Sequence, residues 1–160
     1  DLCRKYQVPF VIDDEVELAL ETDADGVHIG QSDMALRDAR EQLGPEKIIG
    51  VSARTLEEAL EAEQNGADYL GVGAVFSTST KPDAADVSLE TLSSICRAVS
   101  IPVVAIGGIK KENLPELAGT GIAGVAVVSA IFAAPDIRKA AEELRQLSEA
   151  AAAGKAGVTG

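Results

Sequence analysis

The chain has 160 residues, and its 14 Lys and Arg against 26 Asp and Glu give a formal net charge of −12. This length suits one domain with a hydrophobic core, and the acidic balance argues against a nucleic-acid or anionic-membrane surface. The sequence contains no bilayer-length apolar run and no signal-peptide pattern. Its two cysteines, Cys3 and Cys96, are too far apart to indicate a metal site or a disulfide framework. We therefore expect a cytoplasmic protein.

Six short apolar runs predict buried β-strands, and charged stretches with helical spacing separate them. Continuous apolar runs suit strands that are covered on both faces, and helical connections make such strands parallel. In chain order the runs occupy residues 9–14, 26–30, 48–52, 69–73, 103–108 and 124–129.

Helices are predicted before the first run and after each run. Residues 1–8 resemble the last turns of a helix that leads into the first strand. Thr55 and Glu58 have the spacing of a capping box, which predicts a helix start, and Ser88 can cap another helix. After the runs, in chain order, the predicted helices cover residues 15–22, 34–43, 55–65, 89–99, 113–117 and 136–147.

This alternation of strands and helices predicts a parallel sheet, either open and doubly wound or closed as a (β/α)₈ barrel. Such barrels have eight strands and at least about 200 residues. Because the chain begins abruptly in a helix end, we expect an α/β TIM barrel that lacks its first two strands and keeps six parallel ones. The barrel would cover residues 1–147, and residues 148–160 would form a disordered low-complexity tail. Open strand edges would favour a homo-oligomer.

The segment that follows the fourth run carries the richest set of polar residues. Thr78, Ser79 and Thr80 offer hydroxyl donors, and Lys81 adds a point charge. This combination suits an anionic ligand. A polar surface loop with a solvated lysine is the ordinary alternative.

The last two runs end in residues that suit phosphate binding. Gly107 and Gly108 close the fifth run, and Val128 and Ser129 close the sixth. Barrel phosphate sites are commonly built from the loops after strands seven and eight. If two strands are missing at the start, the fifth and sixth runs correspond to strands seven and eight. Glycine lets backbone N–H groups approach a phosphate. A simple tight turn is the alternative for the two glycines.

Asp13, Asp14 and Asp33 are the carboxylates of interest, because carboxylates from neighbouring strand ends can share Mg²⁺ with substrate phosphates. Asp13 and Asp33 each precede a predicted helix, so position alone favours N-caps. His28 lies within the second run, and we interpret it as a hydrogen-bonded core residue. Ser52 ends the third run, where it can reach a ligand or cap the next turn.

Taken together, these residues resemble the thiamine phosphate synthase family. The resemblance extends from about Leu2 to Leu147, and its most specific parts are Gly-Gln-x-Asp at residues 30–33 and Thr-Ser-Thr-Lys at 78–81. It implies a (β/α)₈ barrel fold. It also implies a transferase activity that joins hydroxymethylpyrimidine diphosphate to thiazole phosphate and releases diphosphate. The implied reaction is dissociative, so the site must stabilise charge on the leaving group. The matching segments are residues 8–14, 26–33, 49–52, 68–81, 102–109 and 124–131.

The resemblance also implies which residues bind the metal and the pyrimidine diphosphate. Asp14 and Asp33 would hold Mg²⁺, and Asp13 and Ser52 would contact the pyrimidine. Lys81 would hold the departing diphosphate. The resemblance implies that Lys81 and Ser52 are the catalytic residues. Asp13 stands where the family more usually has Asn, and this difference adds negative charge near the metal.

On the thiazole side, the resemblance implies contacts from residues 78–80 to the thiazole substrate. Gly108, Val128 and Ser129 would hold its phosphate. A further diphosphate-binding strand of the family would lie upstream of Asp1.

Two alternatives stay open. A thiazole tautomerase-like isomerase on the same barrel handles thiazole phosphate alone and needs neither the diphosphate lysine nor both carboxylates. The other alternative is a fragment that keeps a phosphate pocket but is catalytically dead.

Overall fold

The computed structural model describes residues 1–30, 35–77 and 87–154. Strands and helices alternate along these residues. In chain order they are α1 (Leu2–Tyr6), β1 (Val11–Asp13), α2 (Val16–Glu21), β2 (Gly26–Ile29), α3 (Leu36–Leu43), β3 (Ile48–Ala53), α4 (Leu56–Gln64), β4 (Tyr69–Val72), α5 (Leu89–Ala98), β5 (Val103–Ile106), a 3₁₀ turn (Leu114–Leu117), β6 (Gly124–Ala126), α6 (Ser129–Phe132) and α7 (Ile137–Ala153).

The six strands form one parallel sheet whose spatial order is the order of the chain, from β1 to β6. Each connection therefore steps in the same direction across the sheet. Because parallel crossovers are right-handed, such a sequence places the helices on one face, whereas a doubly wound sheet reverses its order and carries helices on both faces. The result is a curled half-barrel, and the prediction of six parallel strands is confirmed.

The hydrophobic core lies between the sheet and the helices. Alternate strand residues point toward this side, and the largest fully buried ones are apolar. From the sheet they include Val27, Ile29, Ile49, Leu70, Val72 and Val103, and from the helical layer Leu92, Ile95, Leu114 and Leu117. The intervening strand residues point to the opposite, concave face, where only partly buried side chains such as those of His28, Ser52 and Tyr69 are found.

Side-chain caps fix three helix starts. Thr55 and Glu58 form a complete capping box at α4, as predicted, and the Ser88 hydroxyl accepts a bond from the Thr91 N–H at the start of α5. The Asp136 carboxylate accepts from the Lys139 N–H at α7. Asp13 does not cap α2, since that helix begins after Glu15. The cap interpretation of Asp13 is therefore wrong, while Asp33 lies outside the described residues.

The structure differs from the prediction at two places near the end of the chain. The low-complexity tail predicted from Ser148 is helical as far as Ala153, because alanine is the strongest helix former and Ala151 buries itself in the core. The short helix α6 was not predicted, since four residues carry too little periodicity to reveal one. Among the described residues, no helix is long and apolar enough to cross a membrane.

Replacing Thr55 with Ala tests the strongest of these caps. The substitution removes the acceptor for the Glu58 N–H, 3.1 Å away, and we expect it to lower the free energy of unfolding by about 1 kcal/mol. Urea denaturation followed by circular dichroism measures the change. As a control, Glu57→Gln alters the same helical turn without removing a cap and should stay within about 0.5 kcal/mol. Equal losses in the two variants would contradict a capping role.

Candidate active site

The carboxyl ends of the parallel strands meet at one edge of the sheet, and most of the predicted site residues that the structure describes lie there. Asp13 ends β1 and Asp14 follows it, Ser52 lies near the end of β3, and the two glycines directly follow β5. Val128 and Ser129 follow β6. The remaining predicted site residues, Asp33 and residues 78–81, lie outside the described part of the chain.

Asp14 occupies an unusual backbone conformation at this edge. Its φ is 65°, in the left-handed region that Asp tolerates better than most residues. Its N–H donates to the His28 carbonyl over 2.8 Å, which joins the end of β1 to β2. The side chains of Asp13 and Asp14 are both exposed at this edge.

Exposed carboxylate oxygens fit the coordination chemistry of Mg²⁺, which commonly takes one or two carboxylates together with substrate phosphates. Within the described ranges, however, no three His, Cys, Asp or Glu side chains are grouped to hold a metal ion. Asp14 therefore fits as one ligand of such a site, and its pairing with Asp33 stays a prediction.

His28 links two neighbouring hydroxyl groups on the concave face. Its Nδ1 lies 3.0 Å from the Tyr69 hydroxyl, and its Nε2 lies 3.0 Å from Ser52 Oγ. The three residues come from β2, β3 and β4, and the His28 and Tyr69 rings lie 5.4 Å apart between centroids. Ser52 is thus part of a hydrogen-bonded chain that ends at the carboxyl edge of the sheet.

Glycines on the neighbouring strands make room for the imidazole ring. A Cβ atom at Gly71 would lie 2.8 Å from His28 Cε1 and 3.2 Å from Nε2. At Gly50 it would lie 2.5 Å from His28 Nδ1 and would overlap the Tyr69 ring. The ring therefore fills a slot that a larger residue on either strand would close.

Asp13 influences this cluster through its charge. Burial raises the pKa of the Tyr69 phenol, and the nearby negative charge of Asp13 raises it further. Both effects disfavour the phenolate, so Tyr69 is a neutral hydroxyl that can donate or accept a hydrogen bond.

The interpretation of His28 as a hydrogen-bonded residue holds, but His28 does not belong to the hydrophobic core. Its contact with Tyr69 was missed because it depends on strand register. Gly50 is the register partner of both His28 and Tyr69. Two glycines inside apolar strands were the available signal, since such glycines often mark a close approach.

Gly107 and Gly108 form a tight turn that ordinary residues would not fit. Their φ values are 96° and 64°. A Cβ atom at Gly108 would lie 2.6 Å from the Ser77 carbonyl oxygen and overlap that of Phe76. Asn113 holds the turn in place, because its Nδ2 donates to the Gly108 carbonyl over 3.0 Å and its Oδ1 accepts from the Lys110 N–H over 2.7 Å.

Ser129 opens the short helix α6 beside this turn, since β5 and β6 are paired. The first N–H groups of a helix have no partner inside it. An adjoining cleft of about 430 Å³ is lined by Ser129, Lys110 and Lys111 among others, and Lys111 is paired with Glu143 at 2.7 Å. The glycine turn and the start of α6 thus lie side by side at the end of one strand pair, and the cleft beside α6 carries Glu112 and Glu143 as well as the two lysines.

Parallel strands in chain order, helices on the convex face and polar residues at the carboxyl edge define an α/β half-barrel, which is consistent with part of a (β/α) barrel. The family model described as thiamine monophosphate synthase matches residues 1–131. The chain belongs to this family.

Individual relatives agree with this assignment. The chain is 56% identical to thiamine-phosphate synthase of Ruminiclostridium cellulolyticum, covering 89% of the chain and 68% of the relative. It is 58% identical to the Clostridium acetobutylicum enzyme of the same name, covering 83% and 63%. The solved structure of thiamine phosphate pyrophosphorylase from Pyrococcus furiosus superposes with a TM-score of 0.86 at 53% identity, covering 92% of this chain and 71% of that one. The chain thus spans roughly two thirds of the length of these relatives.

Proposed function

We propose that this chain acts in thiamine phosphate synthesis, joining hydroxymethylpyrimidine diphosphate to thiazole phosphate with release of diphosphate. The observation that carries the proposal is the 50–58% identity to proteins named thiamine-phosphate synthase. The geometry agrees with a reaction of two phosphorylated substrates, because polar groups occupy both halves of the carboxyl edge.

Each half of the sheet would hold one substrate. Asp13 and Ser52, from β1 and β3, would contact the pyrimidine. Gly108, Val128 and Ser129, after β5 and β6, would hold the phosphate of the thiazole substrate through backbone N–H groups and the Ser129 hydroxyl. The segment 78–81 follows β4 in the chain, so Thr78, Ser79 and Thr80 would meet the thiazole while Lys81 holds the diphosphate.

In a dissociative reaction the residues of the site orient the substrates and stabilise the departing diphosphate. Lys81 would place a positive charge on the diphosphate oxygens, and the glycine turn would present the thiazole nitrogen to the cationic pyrimidine carbon. Asp14 and Asp33 would hold Mg²⁺, which when bound neutralises phosphate charge. No described residue has to act as a general base in this scheme.

We also propose that the six strands correspond to the last six of an eight-stranded barrel. The two proposed phosphate-binding segments, at Gly108 and at Val128 and Ser129, would then follow strands seven and eight, where barrel phosphate sites are commonly found. The first two strands would lie upstream of Asp1 and complete the diphosphate site. A cytoplasmic location and a homo-oligomer remain predictions.

Two incubations test the proposed reaction. The first contains both substrates and Mg²⁺, and the second contains thiazole phosphate alone. Both are run on the chain itself and on the chain extended at its N-terminus by the corresponding segment of the Pyrococcus furiosus relative. Thiamine phosphate in the first incubation supports the proposal. Isomerised thiazole phosphate in the second identifies a tautomerase-like isomerase, and binding without turnover in either protein identifies a catalytically dead fragment.

Asp14→Ala tests the proposed metal site in the active form of the protein. We expect turnover at saturating substrates to fall by about 10²-fold or more. The free energy of unfolding should fall by only about 1–2 kcal/mol, because Ala tolerates the positive φ of this position less well than Asp does. Steady-state rates across a Mg²⁺ titration measure the effect. As a control, Asp23→Ala removes an exposed carboxylate from the α2–β2 turn, outside the carboxyl edge, and should leave the Mg²⁺ dependence unchanged. A wild-type Mg²⁺ response in Asp14→Ala would remove this assignment.

A further inference from the structure

His28 is held in one orientation by its surroundings. The backbones of Gly50 and Gly71 leave a slot for the imidazole, and each ring nitrogen lies 3.0 Å from a hydroxyl group. Tyr69 lies at Nδ1 and Ser52 at Nε2. Turning the imidazole ring by half a turn would place carbon atoms instead of nitrogens at both hydroxyls. Both contacts therefore favour the same ring orientation.

The direction of the hydrogen bonds follows from the chemistry of the two hydroxyls. A neutral imidazole has one nitrogen that accepts and one that donates. Either Tyr69 donates to Nδ1 or Ser52 donates to Nε2, because only one nitrogen can accept. A phenol, with an ordinary pKa of about 10, is a much stronger acid than an aliphatic alcohol and is therefore the better donor. The acidity difference thus favours donation from Tyr69 to Nδ1, which would place the imidazole proton on Nε2.

This arrangement determines how the Ser52 hydroxyl is oriented. With the proton on Nε2, Ser52 Oγ accepts a hydrogen bond from His28, and the proton of the hydroxyl is directed away from the imidazole. Ser52 lies near the carboxyl end of β3, on the same face as Asp13 and the proposed pyrimidine site. A proton directed in this way can be donated to an acceptor atom of a bound ligand.

We propose that His28 is a positioning residue, aligned by Tyr69, that orients the Ser52 hydroxyl as a hydrogen-bond donor toward the pyrimidine diphosphate. The identity of that ligand rests on the proposed function. The orientation of Ser52 is argued from the contacts of His28 with Tyr69 and Ser52 and can be tested without substrate.

The proton position can be measured directly, because His28 is the one histidine in the sequence. The chain labelled with [¹⁵N]histidine is examined by NMR at about pH 8.5, well above the usual imidazole pKa of about 6.5. We expect a pyrrole-like shift for Nε2 and a pyridine-like shift for Nδ1. Tyr69→Phe keeps the ring but removes the donor, and it should shift the spectrum toward a mixture of the two tautomers. A proton on Nδ1 in the wild-type chain, or no change in Tyr69→Phe, overturns the proposal.

A double-mutant cycle tests whether His28 acts through Ser52. Gln at position 28 places an amide N–H near the former Nε2, whereas Asn reaches only as far as the former Nδ1. We expect His28→Asn to lower kcat about tenfold with an unchanged KM for thiazole phosphate, and His28→Gln to recover most of that loss. In a Ser52→Ala background, His28→Asn should have no further effect. Additive losses, or equal losses in the Asn and Gln variants, overturn the positioning role.

The two experiments separate this inference from the proposed function. If the protein shows no turnover while Nε2 carries the proton, the proposed function fails and the orientation of Ser52 stands. If turnover is normal but the proton lies on Nδ1, the positioning role fails and the proposed function stands.

Discussion

Replacing Lys81 with Ala should lower kcat about 10²–10³-fold in the active protein. Negative charge builds on the diphosphate oxygens as the bond to the pyrimidine breaks, and one charged donor aimed at such an oxygen contributes roughly 2.7–4 kcal/mol to the transition state. Thiazole phosphate binding should be nearly unchanged, because its phosphate is proposed to lie at the ends of β5 and β6. Steady-state turnover with both substrates saturating measures the effect.

Two variants control this experiment. Lys81→Arg should restore the rate only in part, since a planar guanidinium replaces a compact ammonium group. Lys5→Ala removes a lysine in α1, outside the carboxyl edge, and should leave kcat unchanged. A wild-type kcat in Lys81→Ala would identify the lysine as a solvated loop residue and remove the argument for diphosphate chemistry at this position.

Replacing Gly108 with Ala should have the largest effect on the thiazole side of the site. The new Cβ would lie 2.6 Å from the Ser77 carbonyl oxygen, and the φ of 64° already disfavours a side chain. Backbone strain of about 1–3 kcal/mol and overpacking of about 1–3 kcal/mol should together lower the free energy of unfolding by about 2–6 kcal/mol. In the folded fraction, affinity for thiazole phosphate should fall at least about tenfold because the turn is displaced.

Gly119 provides a matched control, since its φ is 82° but a Cβ atom there would meet nothing within 4 Å. Gly119→Ala should therefore show only the strain of a positive φ, about 1–2 kcal/mol, and no loss of affinity. Urea denaturation and calorimetric titration with thiazole phosphate measure the two quantities. Unchanged thiazole phosphate affinity in Gly108→Ala would exclude the glycine turn from the phosphate site.

The sequence predicted the elements of the fold well because each depends on local patterns. Each of the six apolar runs overlaps one strand, although the first, fifth and sixth strands are two or three residues shorter than their runs. Thr55 with Glu58 marks a helix start through a bond that spans three residues. Errors occur where the local pattern is weak. Four residues from Ser129 are too few to show helical periodicity, and the alanine run after Ser148 was mistaken for a disordered tail because low complexity and helix propensity favour opposite interpretations.

The site was predicted less completely because it depends on how strands align. Asp13, Ser52 and Gly108 could be proposed from their places at the ends of apolar runs. The contact between His28 and Tyr69 could not, since the two residues are distant in the chain and meet only through the register of β2, β3 and β4. A lone histidine in an apolar run does not indicate which residues it contacts. A tyrosine or serine in another strand does not indicate that its hydroxyl contacts that histidine.

The spatial order of the strands has a consequence for synthesis on the ribosome. Each strand pairs with the one made just before it, so the sheet can lengthen at a single edge as the polypeptide emerges, and no strand must be inserted between two that are already paired. In such stepwise growth each new strand closes only one helical crossover connection at a time. Stepwise growth also sets an order of completion. The Tyr69–His28–Ser52 chain can form once β4 has been added, whereas the glycine turn and Ser129 come together only when β6 joins, so the phosphate half of the edge is finished last.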